Sequence, residues 1–118
     1  MSKRNWQLFI EDITESIRLI KEYTQNMGFE SFKNDRKTID AVVRNFEIIG
    51  EASKYIPEAV KIKYHEVDWQ AIIGLRNRIT HEYFGISLSI IWHIIEVELP
   101  KLQIQMKDIL TKENPNII

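Results

Sequence analysis

Apolar residues recur at intervals of three and four along most of the chain, which is the spacing of one face of an α-helix. The pattern predicts a first helix over about residues 5–26, ended by Gly28. A second helix is predicted from Asp35 to about Ile56, where Pro57 stops it. Strand-like alternation never persists beyond a few residues, so the pattern predicts an all-α fold.

The second half of the chain continues the helical pattern. Residues 57–64 form a short amphipathic turn or helix, and Asp68 is placed to cap a third helix over residues 69–84. A fourth helix follows Gly85, and Pro100 is expected to kink it without ending it. Four main helices with short connections, and one short extra helix, predict an up-and-down four-helix bundle.

The predicted second helix is apolar on two sides. Its broad face consists of Ile39, Val42, Val43, Phe46, Ile49, Gly50 and Ser53. The opposite side carries Ala41, Ile48, Ala52 and Tyr55. A helix that is apolar on two sides is buried on two sides, so we expect the core of the chain on one side and the partner of a homodimer on the other. Ile48, Ala52 and Tyr55 are expected near that interface or near the active-site cleft.

Composition narrows the class of protein. The 118-residue chain is predicted to form one domain over residues 1–118, and its net charge of −1 gives no general basic field, so a nucleic-acid site has to be local. The chain contains no cysteine and its three histidines are not at ligand spacing, so we expect no metal site and no cofactor. Charge appears too early for a signal peptide and no apolar run is long enough to cross a membrane. A cytoplasmic protein without membrane contact is expected.

The most informative stretch is residues 75–85, LRNRITHEYFG. On a helix, Arg76 falls in the middle of the apolar stripe, where an arginine is costly unless it meets a pocket, a partner chain or a counter-charge. Glu51 borders the second apolar side of its own helix and is the carboxylate that could meet Arg76. A structural arginine paired with a carboxylate in the core would give the same pattern.

Asn77 and His81 lie along the flank of the same stripe. In a continuous helix His81 stands about 140° round the axis from Arg76, so the two cannot converge on one small ligand. Two arrangements would bring them together. The helix unwinds between Thr80 and Gly85, or the site forms at a two-fold axis where the segments of two chains face each other.

These residue types suit cleavage of an RNA phosphodiester bond without a metal ion. A histidine that titrates near neutral pH can remove or supply the proton, and an arginine forks onto two phosphate oxygens. Asn77 can hold a phosphate or orient His81. The same set also suits a site that only binds phosphate, and the residues alone leave both possibilities open.

The spacing Arg76, four residues, His81, one residue, Tyr83 reads R-x4-H-x-Y, and with this motif the chain resembles the HepT-like proteins of the HEPN superfamily. The resemblance extends to NFEIIGEASK in the second helix, to DWQAIIGLRNRITHEYFGI around the motif and to IIWHIIEVELPKL in the fourth helix. It therefore covers nearly the whole chain.

The resemblance implies a metal-independent, dimeric endoribonuclease that acts as the toxin of a type VII-like toxin–antitoxin system. It implies that Arg76 and His81 are the catalytic pair, with Asn77 and Glu51 as supporting residues of the site. It also implies that an MNT-type nucleotidyltransferase is the antitoxin and silences the toxin by transferring AMP to Tyr83. The alternative is a non-catalytic helical dimer of the same fold that binds nucleotide or the nucleotidyltransferase.

Tyr83 has an independent chemical interpretation. A phenol near Arg76 becomes a nucleophile once it is deprotonated, and the cation favours the phenolate. On the sequence alone, a core aromatic residue at a helix end explains Tyr83 equally well.

Overall fold

Helices make up most of the chain. The computed structural model describes residues 5–82 and 86–113, without the side chains of residues 81 and 82. Its elements in chain order are α1 (Trp6–Tyr23), α2 (Phe29–Lys33), α3 (Arg36–Lys54), α4 (Glu58–Lys63), α5 (Trp69–Glu82), α6 (Leu88–His93), a π-helical turn (Ile94–Glu98) and α7 (Leu99–Glu113). No strand occurs within the described ranges, and the predicted all-α fold is confirmed.

Carboxylate caps determine where two of the main helices begin. The Asp35 Oδ1 atom accepts a hydrogen bond of 3.1 Å from the backbone amide of Thr38 at the start of α3. The Asp68 Oδ1 atom accepts one of 3.0 Å from the backbone amide of Ala71 at the start of α5. Each cap satisfies a backbone amide that has no partner inside its helix and contributes about 1 kcal/mol. Both helix starts agree with the sequence pattern.

The end of α1 differs from the prediction. The helix stops at Tyr23, and Asn26 adopts the left-handed backbone conformation with φ of 64°. Asparagine tolerates this conformation because its short amide can bond to the local backbone. Gly28 has extended backbone angles and precedes α2, so the prediction that Gly28 ends the first helix is wrong.

The second helix of the sequence pattern, α3, packs against both α1 and α5. Every residue of its predicted broad face is buried, with Ile39 at one end of that face and Ser53 at the other. On the opposite side Ala52 is buried, Ala41 and Ile48 are half-buried, and Tyr55 is exposed. Because α5 lies directly on α3, the backbone of α3 determines where the side chains of α5 can go.

The connection between α1 and α3 contains an element that the sequence pattern missed. The five residues of α2 are too few for helical periodicity to be recognised. Phe32 of α2 is fully buried, and its ring lies 5.1 Å from the ring of Trp92, measured between centroids. This aromatic contact holds α2 against α6.

The sequence predicted a kink at Pro100, and the structure has a π-helical turn that ends two residues before the proline. Proline lacks an N–H, and its ring crowds the carbonyl group four residues earlier, here that of Glu96. The wider π turn makes room for that carbonyl. The apolar stripe continues through α7, where Leu99, Met106 and Ile109 are buried. The predicted third-helix end at Phe84 and Gly85 lies outside the described residues.

A polar cluster joins α4 to the end of α7. The Tyr64 hydroxyl donates a hydrogen bond of 2.5 Å to the Glu113 carboxylate, and the Lys63 ammonium lies 2.7 Å from the same oxygen. The hydrogen bond and charge of Lys63, with the hydrogen bond of Tyr64, lower the pKa of Glu113. Burial, followed by the bond to Glu113, raises the pKa of Tyr64 to about 12, so the phenol stays protonated at neutral pH. The cluster stabilises the position of α4.

Candidate functional site

Arg76 occupies the place where α5 crosses α3. A Cβ atom built on Gly50 would lie 2.1 Å from the Arg76 Cβ and 2.7 Å from its Cγ. Real Cβ atoms do not approach so closely, so the two helices can meet at this distance only because residue 50 has no side chain. The backbone of α3 therefore determines where the stem of Arg76 lies.

Two neighbouring side chains hold the guanidinium of Arg76. Its Nη2 atom lies 2.9 Å from the Glu51 Oε2 atom, and its Nη1 atom donates a hydrogen bond of 3.1 Å to the Asn77 Oδ1 atom. The Arg76 side chain remains 26% exposed, whereas the Glu51 Oε2 atom is out of contact with solvent. The contact between Glu51 and Arg76 that the sequence suggested is present, and it supplies the counter-charge that a half-buried arginine requires.

Arg76 faces a cleft of about 410 Å³ between α1, α3 and α5. The cleft is lined by Phe9, Asp12, Arg44, Glu47, Ile48, Glu51, Ala52, Tyr55 and Arg76. Ile48, Ala52 and Tyr55 all belong to this lining, so this part of the second apolar side of α3 faces the cleft. Among the described residues of the lining, carboxylates outnumber guanidinium groups three to two. Attraction for an anion is therefore concentrated at the two arginines.

An aromatic pair forms one edge of the cleft. The rings of Phe9 and Tyr55 are stacked with centroids 5.2 Å apart and an angle of 20° between their planes. Tyr55 is 58% exposed although its inner face is covered by Phe9. The pair joins the start of α1 to the end of α3 and presents a flat aromatic surface at the cleft.

Sequence reasoning did not assign Arg44 or the two residues of α1 to the site. Arg44, Ile48, Glu51 and Tyr55 follow one another at intervals of four, three and four, which places them on one face of α3. That spacing was a usable signal for Arg44. Phe9 and Asp12 come from another helix, and no spacing within the sequence indicates that α1 reaches the cleft.

His81 belongs to the last turn of α5, which remains helical through Glu82. Five residues of α-helix separate the backbone positions of Arg76 and His81 by about 140° around the axis and about 7.5 Å along it. Unwinding is therefore absent as far as Glu82, and the rest of the stretch where it was considered, residues 83–85, lies outside the described residues. The side chain of His81 and the whole of Tyr83 lie outside the described residues, and their roles stay predictions.

The described part of the chain contains no group of three or more His, Asp or Glu side chains arranged to hold a metal ion. Within the same ranges, no helix combines the length and the apolar character needed to cross a membrane. The polar groups that line the described cleft are guanidinium, carboxylate and phenol groups.

Similarity to a known family covers α3, α5 and the part of α1 from Ile13 onward. The sequence matches the family described as Ribonuclease HepT-like over residues 13–109. It is 41% identical over 101 residues to a Thermococcus cleftensis protein named "Probable ribonuclease HepT", covering 86% of this chain and 92% of that protein. It is 40% identical to proteins of Methanocaldococcus jannaschii and Caldanaerobacter subterraneus that are provisionally named RNases, covering 87% and 89% of this chain and 94% of each relative. No solved structure matches the chain.

Proposed function

The chain belongs to the HepT-like ribonuclease family, and from that membership we propose that it is a metal-independent endoribonuclease. It acts as a homodimer of four-helix bundles and as the toxin of a type VII-like toxin–antitoxin pair. The observation that carries the proposal is the guanidinium of Arg76, which Glu51 and Asn77 hold at an open cleft while 26% of the side chain stays exposed. A fixed, accessible guanidinium is what a phosphodiester requires for recognition.

The proposed reaction divides the chemistry between His81 and Arg76. His81 removes the proton of a ribose 2′-hydroxyl, whose oxygen forms a bond to phosphorus as the bond to the 5′-oxygen breaks. The leaving oxygen takes up a proton from an imidazolium or from water, so the products are a cyclic phosphate and a 5′-hydroxyl. Arg76 stabilises the negative charge that builds on the non-bridging phosphate oxygens.

The helical geometry supports a site shared between two chains. Because α5 stays helical from Arg76 to Glu82, the backbone positions of residues 76 and 81 in one chain lie on different sides of the helix axis. In the proposed dimer, Arg76 of one protomer and His81 of its partner act on the same phosphate. The two-fold axis generates two such sites.

Glu51 and Asn77 are proposed to position Arg76 and not to contact the reacting atoms. A guanidinium carries five N–H groups, and Asn77 accepts one hydrogen bond from Nη1 while Glu51 lies beside Nη2. The remaining N–H groups are sufficient in number to fork onto two phosphate oxygens. Glu51 therefore orients the guanidinium without consuming its capacity to bind.

The proposal is tested by incubating single-stranded RNA with the purified chain in excess EDTA. We expect cleavage by the parent chain and loss of cleavage, by at least about 100-fold, on His81→Ala, because general acid–base catalysis contributes that much or more. Circular dichroism and gel filtration check that the variant keeps its fold and its dimer. Intact RNA in both reactions, together with binding of nucleotide or of the nucleotidyltransferase, would instead favour the non-catalytic alternative.

We propose that Tyr83 is the point of control. Its phenolate oxygen attacks the α-phosphorus of ATP in the active site of the MNT-type nucleotidyltransferase, and pyrophosphate leaves. The attached AMP places a bulky anion near Arg76, where the RNA phosphate has to bind.

Tyr83→Phe removes the nucleophile and keeps the ring, so this variant should cleave RNA and resist silencing. Co-expression with the nucleotidyltransferase is expected to add the mass of AMP, or multiples of it, to the parent chain and nothing to the variant, as read by intact-mass spectrometry. An adduct that persists on Tyr83→Phe would place the modification on another residue. A cleavage rate about 5-fold or more below that of the parent would instead make the hydroxyl a phosphate ligand.

A further inference from the structure

Tyr55 lines the same cleft as Arg76 and has an exposed aromatic ring that the proposed chemistry does not use. Its backbone is fixed at the C-terminal end of α3, where its amide donates to the carbonyl groups of Ala52 and Ser53. Its ring is supported by Phe9 in a nearly parallel stack, with 20° between the planes, and 58% of the residue is exposed. An aromatic ring that is stacked on one face and largely exposed to solvent is suited to stacking a flat ligand.

The charge of the cleft lining indicates that RNA binding requires a contact that does not depend on charge. The described lining contains Asp12, Glu47 and Glu51 against Arg44 and Arg76, so the lining as a whole does not attract a polyanion. Phosphate binding at Arg76 alone contributes limited affinity. Stacking of a base on an aromatic ring does not depend on net charge and adds affinity where electrostatic attraction is weak.

We propose that the exposed face of Tyr55 stacks an unpaired nucleobase of the RNA whose phosphate binds at Arg76. The inference rests on the proposed function and adds a base subsite to it. Every base has a π face, so the subsite tolerates different sequences. It selects for single-stranded segments and loops, since bases inside a duplex are already stacked on their neighbours and cannot reach the ring.

Binding measurements with a non-cleaving chain separate this subsite from catalysis. The His81→Ala chain is titrated into a fluorescein-labelled 12-nucleotide single-stranded RNA in EDTA, and anisotropy gives the Kd. Adding Tyr55→Phe retains the ring and should leave the Kd within about twofold, whereas Tyr55→Leu should raise it about 5- to 20-fold, toward the lower end of the range for base stacking. Tyr23 is a matched control because it is an exposed tyrosine at the end of α1 that does not line the cleft, and Tyr23→Leu should leave the Kd unchanged.

A double-mutant cycle identifies the stacked base. Abasic nucleotides are placed one at a time along the RNA, and each RNA is titrated with the chain that keeps Tyr55 and with the chain that carries Tyr55→Leu. We expect one position, or two adjacent ones, where the missing base and Tyr55→Leu weaken binding by similar factors and together by no more than either alone. Effects that multiply at every position would overturn the inference, as would an unchanged Kd for Tyr55→Leu.

Gel filtration of the same variants tests the competing use of this surface. If Tyr55→Leu dissociates the dimer at micromolar concentration, the exposed face belongs to the contact between protomers and the inference fails. Coupling to one abasic position in a parent chain that does not cleave RNA would retain the base subsite and reject the ribonuclease function. RNA cleavage by the parent chain, without coupling between Tyr55 and any abasic position, would retain the ribonuclease function and reject the base subsite.

Discussion

Arg76→Ala is expected to abolish RNA cleavage, with a loss of at least about 100-fold in rate, because removal of a single fixed donor to the transition state costs that much or more. Arg76→Lys should not restore the rate. Its ammonium is a point charge that cannot fork onto two oxygens or reach Glu51 and Asn77 with the same geometry. The measurement is the single-turnover rate on a defined RNA. A lysine variant that recovers most of the parental rate would contradict bidentate binding of the phosphate.

Two further variants test whether Arg76→Ala lowers the cleavage rate only indirectly, through folding or through the loss of a positive charge. The change removes the nearer of two cations beside the Glu51 Oε2 atom, which has no contact with solvent, and leaves only the Lys54 Nζ atom at 4.0 Å. Combining it with Glu51→Gln removes the carboxylate charge that has lost its nearer partner, and the double variant should fold as well as the parent while remaining inactive. Arg78→Ala removes an exposed arginine of the same helix that does not line the cleft, and it should retain most of the activity.

Gly50→Ala is expected to destabilise the protein by about 1–3 kcal/mol or more, the usual cost of inserting an atom into a closely packed contact. The new Cβ would lie 2.1 Å from the Arg76 Cβ, so α5 has to move away from α3. The free energy of unfolding is measured with urea, and the cleavage rate should fall as well because the guanidinium moves with its helix.

Gly74→Ala is the matched control for this prediction. Gly74 lies on α5, and a Cβ atom placed there would meet nothing within 4 Å. A glycine-to-alanine change within an open helix stabilises by up to about 1 kcal/mol, because alanine loses less backbone entropy on folding. The two changes should therefore have opposite signs. Equal effects at both positions would mean that the close contact at Gly50 does not limit the approach of the helices.

The sequence was most informative where one local feature determines the structure. The carboxylates of Asp35 and Asp68 mark helix starts because each bonds to an amide only a few residues away. The broad apolar face of α3 was predicted to be buried and is buried, whereas on the second face Ala52 is buried and Tyr55 is exposed. The contact between Arg76 and Glu51 followed from the cost of placing an arginine in an apolar stripe.

Features that depend on distant parts of the chain escaped prediction. Phe9 reaches the cleft because α1 packs on α3, a fact that no periodicity within α1 contains. Glycine is the residue that most often ends a helix, which is why Gly28 was expected to end α1. Asn26 adopts the left-handed backbone conformation instead, two residues earlier. The close crossing at Gly50 could not be predicted from the sequence either, because the residue that excludes a side chain there, Arg76, belongs to another helix.

The shared site is tested most directly with two kinds of mixed dimer, each purified through two different affinity tags. The first joins an Arg76→Ala protomer to a His81→Ala protomer, and the second joins a parent protomer to one that carries both changes. The two dimers contain the same side chains in different distributions. Pairing of Arg76 with the partner's His81 leaves one intact site in the first dimer and none in the second.

The measurement is the rate of RNA cleavage in EDTA by these two mixed dimers. We expect about half of the parental rate from the dimer that separates the two changes, because one of its two sites is complete, and essentially none from the dimer that combines them in one chain. The reverse result, with activity only when Arg76 and His81 remain in the same protomer, would contradict a site shared across the dimer.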